Sequence, residues 1–268
     1  MSFTADWLAL REPYDAHARN REVLAAVAAV FADRSGMTIV DLACGTGSTL
    51  RALRPHLAPR QSWRLVDNDL GLLARAAGGT HPAFASITTI PIDLARDLEA
   101  ALDGPVDLVT ASALLDLVSA PWLERFVVET AARRLPVYVA LNYDGRAALE
   151  PADPFDQMII AAVNRHQRRD KGFGAALGPV AAATAIAQFA AVQYTVIQGI
   201  SDWVVGPDDR DMQNEILSGW AGAARELTDL ASAEIIEWLA RRRDLVAAGR
   251  SRLRVGHVDF FARPIGLR

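Results

Sequence analysis

The feature that most constrains this chain is a repeated switch between short apolar, β-branched runs and amphipathic helical stretches, starting at a glycine-rich turn. Residues 37–44, Met-Thr-Ile-Val-Asp-Leu-Ala-Cys, read as a buried strand. They run into Gly45-Thr46-Gly47-Ser48 and then into a helical stretch capped by Ser48 or Thr49. Residues 63–69, 86–94, 105–112 and 135–143 repeat the strand pattern, with helices expected after 69, over 94–102 and over 121–134. Such alternation builds parallel βαβ units with helices on both sheet faces, so the expected class is α/β, doubly wound.

Outside that core, Leu24, Val27, Val30 and Phe31 give residues 5–34 a helical spacing, with Pro13 breaking the segment or starting its main helix. Residues 155–192 read as mainly helical, interrupted by the glycine-rich Lys171-Gly172-Phe173-Gly174 stretch, and 208–248 as helical again. Residues 194–205 read as one long strand and 252–264 as a closing strand. The expected organisation is an N-terminal helical segment, 1–35, covering the site, and one domain over 36–268 with helical inserts at about 145–192 and 207–250.

Composition narrows the function. The formal net charge is -4, which disfavours a general nucleic-acid binder, since phosphate contacts supply most of that affinity. The single cysteine, Cys44, builds neither a disulfide framework nor a cysteine-rich zinc site, and fits packing rather than nucleophilic attack. The N-terminus carries early charges and no apolar signal core, and the apolar stretches 24–32 and 179–192 fall short of the roughly 20 residues a span needs. A cytoplasmic protein without membrane partners is expected. His56, His81 and His257 stand singly without metal-ligand spacing, and no metal is expected.

A glycine turn between a strand and a helix lets a ligand approach the backbone and offers it the free N–H groups of the helix start. On its own it is equally a plain strand-to-helix connection. Asp67 follows Gly47 by 20 residues, a spacing that suits hydrogen bonds from a ribose diol. Asp93, after the third strand, suits an exocyclic amine of adenine. Both aspartates are also candidate helix caps, as is Asp69. Leu50 occupies the third small position of the dinucleotide fingerprint, which disfavours a nicotinamide cofactor.

These segments resemble the class I S-adenosylmethionine-dependent methyltransferases. Residues 41–48 (Asp-Leu-Ala-Cys-Gly-Thr-Gly-Ser) look like the family's first motif, 66–69 like its second, 91–94 like its adenine-contacting motif, and 106–119 like the fourth-strand motif. The resemblance covers roughly residues 20–145, and the strands at 194–205 and 252–264 match the family's antiparallel edge hairpin. It implies a seven-stranded, mostly parallel sheet, with S-adenosyl-L-methionine as cofactor and S-adenosyl-L-homocysteine as product. Carried over, Asp41, Ala43, Gly45 and Gly47 surround the methionine part, and Asp67 and Asn68 hold the ribose and flank the adenine. Asp93 and Leu94 contact the adenine, and Ser112 and Ala113 lie near the sulfonium. In resembling enzymes the N-terminal segment folds over the cofactor, which makes Arg11, Tyr14 and Arg19 candidates, with a solvated helix face as the alternative.

Methyl transfer from a sulfonium is an in-line displacement, so positioning supplies most of the catalysis, and a base is needed only for an acceptor that holds its proton tightly. Asn142 and Tyr143 after the fifth strand, and His166 as a base, are the candidate catalytic residues. The polar run 164–174 reads as a lid for an anionic substrate or as a solvated helix end. Trp203, Trp220 and Trp238 line an acceptor pocket or fill the core. The fourth strand lacks the Asn-Pro-Pro-aromatic signature of many nucleic-acid and glutamine methyltransferases, which favours a small-molecule acceptor, methylated at O or N. A protein or RNA acceptor, or a non-catalytic cofactor-binding scaffold, are the alternatives, and a homodimer is an assembly such enzymes often form.

Overall fold

A computed structural model describes residues 3–78, 85–227 and 229–266. Its centre is one sheet in the order β3-β2-β1-β4-β5-β8-β6, with β7 pairing alongside on β8. The strands are β1 (Gly36–Leu42), β2 (Arg60–Asp67), β3 (Ala85–Pro91), β4 (Leu108–Ser112), β5 (Val137–Glu150), β6 (Tyr194–Ile200), β7 (Trp203–Val205) and β8 (Arg252–Pro264). β1 to β5 are parallel, while β8 runs antiparallel between β5 and β6. The seven-strand path with its antiparallel edge is the expected one, and the eighth strand is β7.

The extra strand arises because 194–205 is two strands rather than one. At the break, Ser201 N donates to His257 O, and the Asp202 carboxylate accepts from Arg146 and from His257 N. A side chain thus replaces a backbone partner, and pairing with β8 resumes at Trp203. β5 also runs further than 143. It reaches Glu150 through two register shifts, and its last residues alternate, with Leu149 buried between exposed Ala148 and Glu150.

The helices are α1 (Ala5–Ala18), α2 (Arg21–Val30), α3 (Ser48–Leu53), α4 (Leu70–Ala77), α5 (Leu98–Ala101), α6 (Ala120–Ala132), α7 (Asp156–His166), α8 (Ala181–Ala191), α9 (Arg210–Glu226) and α10 (Ser232–Ala247). Pro13 lies inside α1, which continues past it; the N-terminal pair breaks at Arg19-Asn20. Asn20 is extended and caps α2 through Oδ1, which accepts from Glu22 N and Val23 N. Neither Ser48 nor Thr49 caps α3. Gly47 holds that place at φ +82, a conformation glycine adopts without a Cβ clash. Only four residues of the expected 94–102 helix form, as α5, because Asp93 first closes a turn by accepting from Ala95 N.

Alternation across the strands separates two cores. Val40, Val66, Val109, Val139 and Phe260 face α6 and α8, while Ile39, Leu65, Leu108, Tyr138 and Phe261 face α2, α3 and α4. A third cluster joins α7, α9 and α10 to the far ends of β5 and β8. Trp203 and Trp238 belong to this cluster and Trp220 packs against it, so the tryptophans fill a core. Among the described residues no helix is long and apolar enough to cross a membrane.

Candidate functional site

At the carboxyl edge of the sheet, where β1, β2 and β4 end, lies a cavity of ≈ 700 Å³. Its floor is the turn after β1. Ala43, Gly45 and Gly47 all have positive φ, at 51°, 54° and 82°. Ala113, directly after β4, is left-handed as well at 52°. An alanine in this region is strained, and two of them face one cavity, the kind of placement that marks functional loops. A Cβ on Gly45 would come within 3.2 Å of Leu8 Cδ1, so α1 rests directly on the turn.

Asp67 fastens the rim. Its Oδ2 accepts from Gly45 N at 2.9 Å and its Oδ1 from Asp69 N at 3.0 Å. Each oxygen keeps a further lone-pair direction for a ligand hydroxyl. Asp69, through Oδ1, caps α4, so Asp67 is not that helix's cap. Asn68, Asp93 and Leu94 continue the wall. Ser112 and Ala113 close it beside the turn, with Ser112 Oγ accepting from Thr49 Oγ1 at 3.0 Å and from Arg19 Nη2 at 3.1 Å.

Nine of the thirteen expected cofactor residues line this cavity: Arg11, Ala43, Gly45, Asp67, Asn68, Asp93, Leu94, Ser112 and Ala113. Tyr14, Arg19, Asp41 and Gly47 do not. Tyr14 donates to Asp209 Oδ1 at 2.8 Å, and burial with that carboxylate pushes its hydroxyl up to about 12. Arg19 is buried behind Ser112 and also donates to Tyr138 Oη at 3.2 Å. Asp41 is fully buried. Its Oδ1 accepts from Thr110 Oγ1 at 2.7 Å, its Oδ2 has no partner, and burial pushes its carboxyl up to about 7. Cys44 lines the cavity, and burial raises its thiol well above the usual value, so the thiolate nucleophile is suppressed.

The structure does not bring the candidate catalytic residues to the cavity. Asn142 is buried in β5, donating to Val258 O, and Tyr143 donates to Asn164 Oδ1 at 2.8 Å. His166, at the end of α7, sits with Nε2 3.0 Å from Glu226 Oε2 and Nδ1 3.2 Å from Lys171 Nζ. His257 is buried and held neutral, pushed down to about 3 by burial, and His56 is exposed. His81 lies outside the described residues. Among the described residues no group of metal-binding side chains assembles.

The roof joins the N-terminal segment expected to cover the site to the 164–174 run read as a lid or a helix end; the seating of Phe173 within it is what the sequence reading missed. Leu8, Arg11 and Asp15 come from α1, and Lys171, Gly172 and Phe173 from the loop after α7. Arg11 is paired with Asp15 through two bonds, of 2.9 and 3.2 Å, and its guanidinium lies 4.8 Å from the Trp203 ring. Phe173 packs edge-on against Trp122 at 5.5 Å, and Trp122 Nε1 donates to Leu94 O. A lone phenylalanine between two glycines in a polar run was the available signal, since such a side chain needs something apolar to meet.

No family model matches the chain, and no curated protein matches it by sequence. Solved structures do. A cyclopropane-fatty-acyl-phospholipid synthase-like protein from Lactobacillus casei is 17% identical, covers 96% of this chain and 94% of its own, and superposes with a TM-score of 0.52. The cyclopropane synthase MmaA2 from Mycobacterium tuberculosis is 11% identical over the same shares, with a TM-score of 0.50. At these identities the likeness is one of fold, and with the strand order it establishes that the chain has the Rossmann-like fold of the class I S-adenosylmethionine-dependent methyltransferases.

Proposed function

We propose that the protein binds S-adenosyl-L-methionine in the cavity and transfers its methyl group to a small-molecule acceptor. The observation that carries this reading is the convergence, on one cavity, of the left-handed turn, the Asp67 carboxylate and the Asp93-Leu94 wall under a roof made by α1. The residues fit the cofactor in kind. Ala43 and Gly45 leave backbone room for the methionine part, Asp67 offers lone pairs to the ribose diol, and Asp93 and Leu94 flank the adenine position. Gly47 and Asp41 support the turn from behind, and Arg19 fixes the Ser112 hydroxyl. Tyr14 braces α1 from the far side through Asp209. α1 and α2 act as the segment that covers the cofactor, and the helices after β5 as inserts on the core.

The cofactor supplies an already activated methyl group. The chain's own contribution is orientation and exclusion of water beneath α1 and the 171–173 loop, effects that supply much of the barrier reduction in such displacements. Asp15 is engaged by Arg11 and Trp203, and Asp67 by two backbone N–H groups. Neither is free to act as a strong base, which suits an acceptor that needs little deprotonation. A roofed cavity favours a compact acceptor over a polymer, and the lone buried Cys44 suits a cytoplasmic setting.

Calorimetric titration with S-adenosyl-L-homocysteine tests the reading. Micromolar binding is expected, with Asp67→Ala weakening it by about tenfold or more. Absence of binding by both the methionine and homocysteine forms refutes the cofactor assignment. Unchanged affinity in Asp67→Ala refutes the ribose role alone.

A further inference from the structure

The loop after α7 is a built wall rather than a loose connection. Asp170 Oδ1 accepts from Gly172 N at 2.7 Å and Gly174 N at 3.0 Å, and bridges pair Asp170 with Ala175 and Ser119 with Ala176. Gly172 and Gly174 take φ values of 104° and 86°, which turn Phe173 onto Trp122 and Lys171 into the cavity lining.

Lys171 is only 7% exposed, yet among the described residues it has no ion pair with a carboxylate. Its one hydrogen-bond partner is His166 Nδ1 at 3.2 Å. Glu226, which also accepts from Arg169 Nη1, lies against His166 Nε2 and holds the proton there. That tautomer leaves Nδ1 as an acceptor, so His166 takes one N–H of the Lys171 ammonium and two remain for the cavity. Glu226 and, more weakly, Asp116 are near enough for their charges to be felt by Lys171 but lie beyond ion-pair distance, and Asp116 Oδ1 is unpartnered. A buried cation without a directly paired carboxylate is unfavourable, and the natural completion is an anion from a ligand.

We propose that Lys171 is the recognition residue for a carboxylate on the methyl acceptor, with His166 and Glu226 as its positioning residues. The proposal rests on the methyltransferase reading and specifies its substrate class. Arg11, the other cation on the cavity, is already neutralised by Asp15, so the site suits a single negative charge. Leu114, Leu117 and Phe173 line the same cavity, so the rest of the acceptor is apolar.

The test is calorimetry on the protein loaded with S-adenosyl-L-homocysteine, comparing octanoate and 4-hydroxybenzoate with octanamide and 4-hydroxybenzamide. The carboxylates are expected to bind about tenfold or more tighter than their amides, the size of a charge-assisted hydrogen bond. Lys171→Met should abolish that preference while keeping S-adenosyl-L-homocysteine affinity within about twofold, which also shows the variant is folded. Lys171→Arg should retain part of the preference. Equal binding of acids and amides, no binding of either acid, or an undiminished preference in Lys171→Met overturns the proposal. Should S-adenosyl-L-homocysteine itself fail to bind, the cofactor reading falls, and the same comparison without it still decides the role of Lys171.

Discussion

Asp41 and Asp67 end neighbouring parallel strands and have opposite surroundings. Asp67 spends both oxygens on backbone N–H groups at the cavity rim, while Asp41 is sealed in the sheet with a single bond from Thr110. Sequence spacing placed Asp67 at the rim but could not separate it from Asp41, because spacing along the chain carries no information about which side of the turn a carboxylate meets. Their difference is measurable through pH. Burial raises Asp41 from its ordinary 3.8 to about 7, so between those values the folded chain binds a proton that the unfolded chain has lost. Stability contributed by the protonated form is present at pH 4 and is lost as pH rises through about 7. Asp116, pushed up to about 6 by burial, acts in the same direction. His257, pushed down to about 3, acts oppositely and loses stability as pH falls below its unfolded value. Asp41→Asn removes only the first effect. Urea unfolding at pH 4.5 and 8 should show the parent losing on the order of 3 kcal/mol relative to the variant, since each of the roughly two and a half pH units between 4.5 and about 7 is worth about 1.4 kcal/mol. Parallel pH profiles for the two proteins would contradict the buried, underbonded carboxylate.

At the scale of elements, β1, β2 and β4 were legible to within a few residues because parallel strands buried on both faces are continuous apolar runs. The errors fall where tertiary partners override local pattern. Nothing within 194–205 announces the break at Ser201-Asp202, because its cause, Arg146 and His257, sits on other strands. Likewise Pro13 outranks Asn20 as a local breaker, yet Asn20 is the joint. Its N–H donates to Asp259 Oδ2, its Nδ2 to Ile200 O, and its Oδ1 caps α2. This clip ties the N-terminal helices to β6 and β8. Asn20→Ala should cost about 1–2 kcal/mol, the upper end of a lost cap. Gly199 gives a sharper test. A Cβ there would stand 2.2 Å from Asn20 Nδ2 and 2.4 Å from Asn20 Cγ, atoms that the alanine variant lacks. Gly199→Ala should therefore destabilise the parent by about 1–3 kcal/mol and be close to neutral in the Asn20→Ala background. Additive losses in that double-mutant cycle would mean that the clip does not set the spacing between α2 and β6.

The whole molecule is a two-faced sheet carrying a separately cored helical cap, and the cavity needs both. The turn, Asp67 and Ser112 belong to the sheet, while Lys171 and Phe173 follow α7, and α1 is tethered to the cap through Tyr14 and Asp209. The inserts were visible in the sequence as helical stretches after the alternation ends. A lid over the site was among the expectations, but which residues reach the cavity was not legible, because contacts between residues so far apart leave no periodic trace. The cap hangs on Asp156 at the start of α7. Its Oδ1 accepts from Trp238 Nε1 at 2.8 Å and Arg242 Nε at 3.0 Å, and its Oδ2 from Arg242 Nη2 and Asp153 N. Arg242 is fully buried, so Asp156→Asn leaves its charge without a counter-ion, a change that costs about 3–5 kcal/mol. Because the cap has its own hydrophobic cluster, that loss should concentrate there. Hydrogen exchange followed by mass spectrometry should show protection falling in α7, α9 and α10 of Asp156→Asn, with β1, β2 and β4 nearly unchanged. S-adenosyl-L-homocysteine, which in the proposed function rests mainly on the sheet, should still bind, while any preference for carboxylates over amides weakens with the Lys171 wall. Uniform loss of protection across strands and helices would instead make sheet and cap one cooperative unit, with the roof as rigid as the floor it covers.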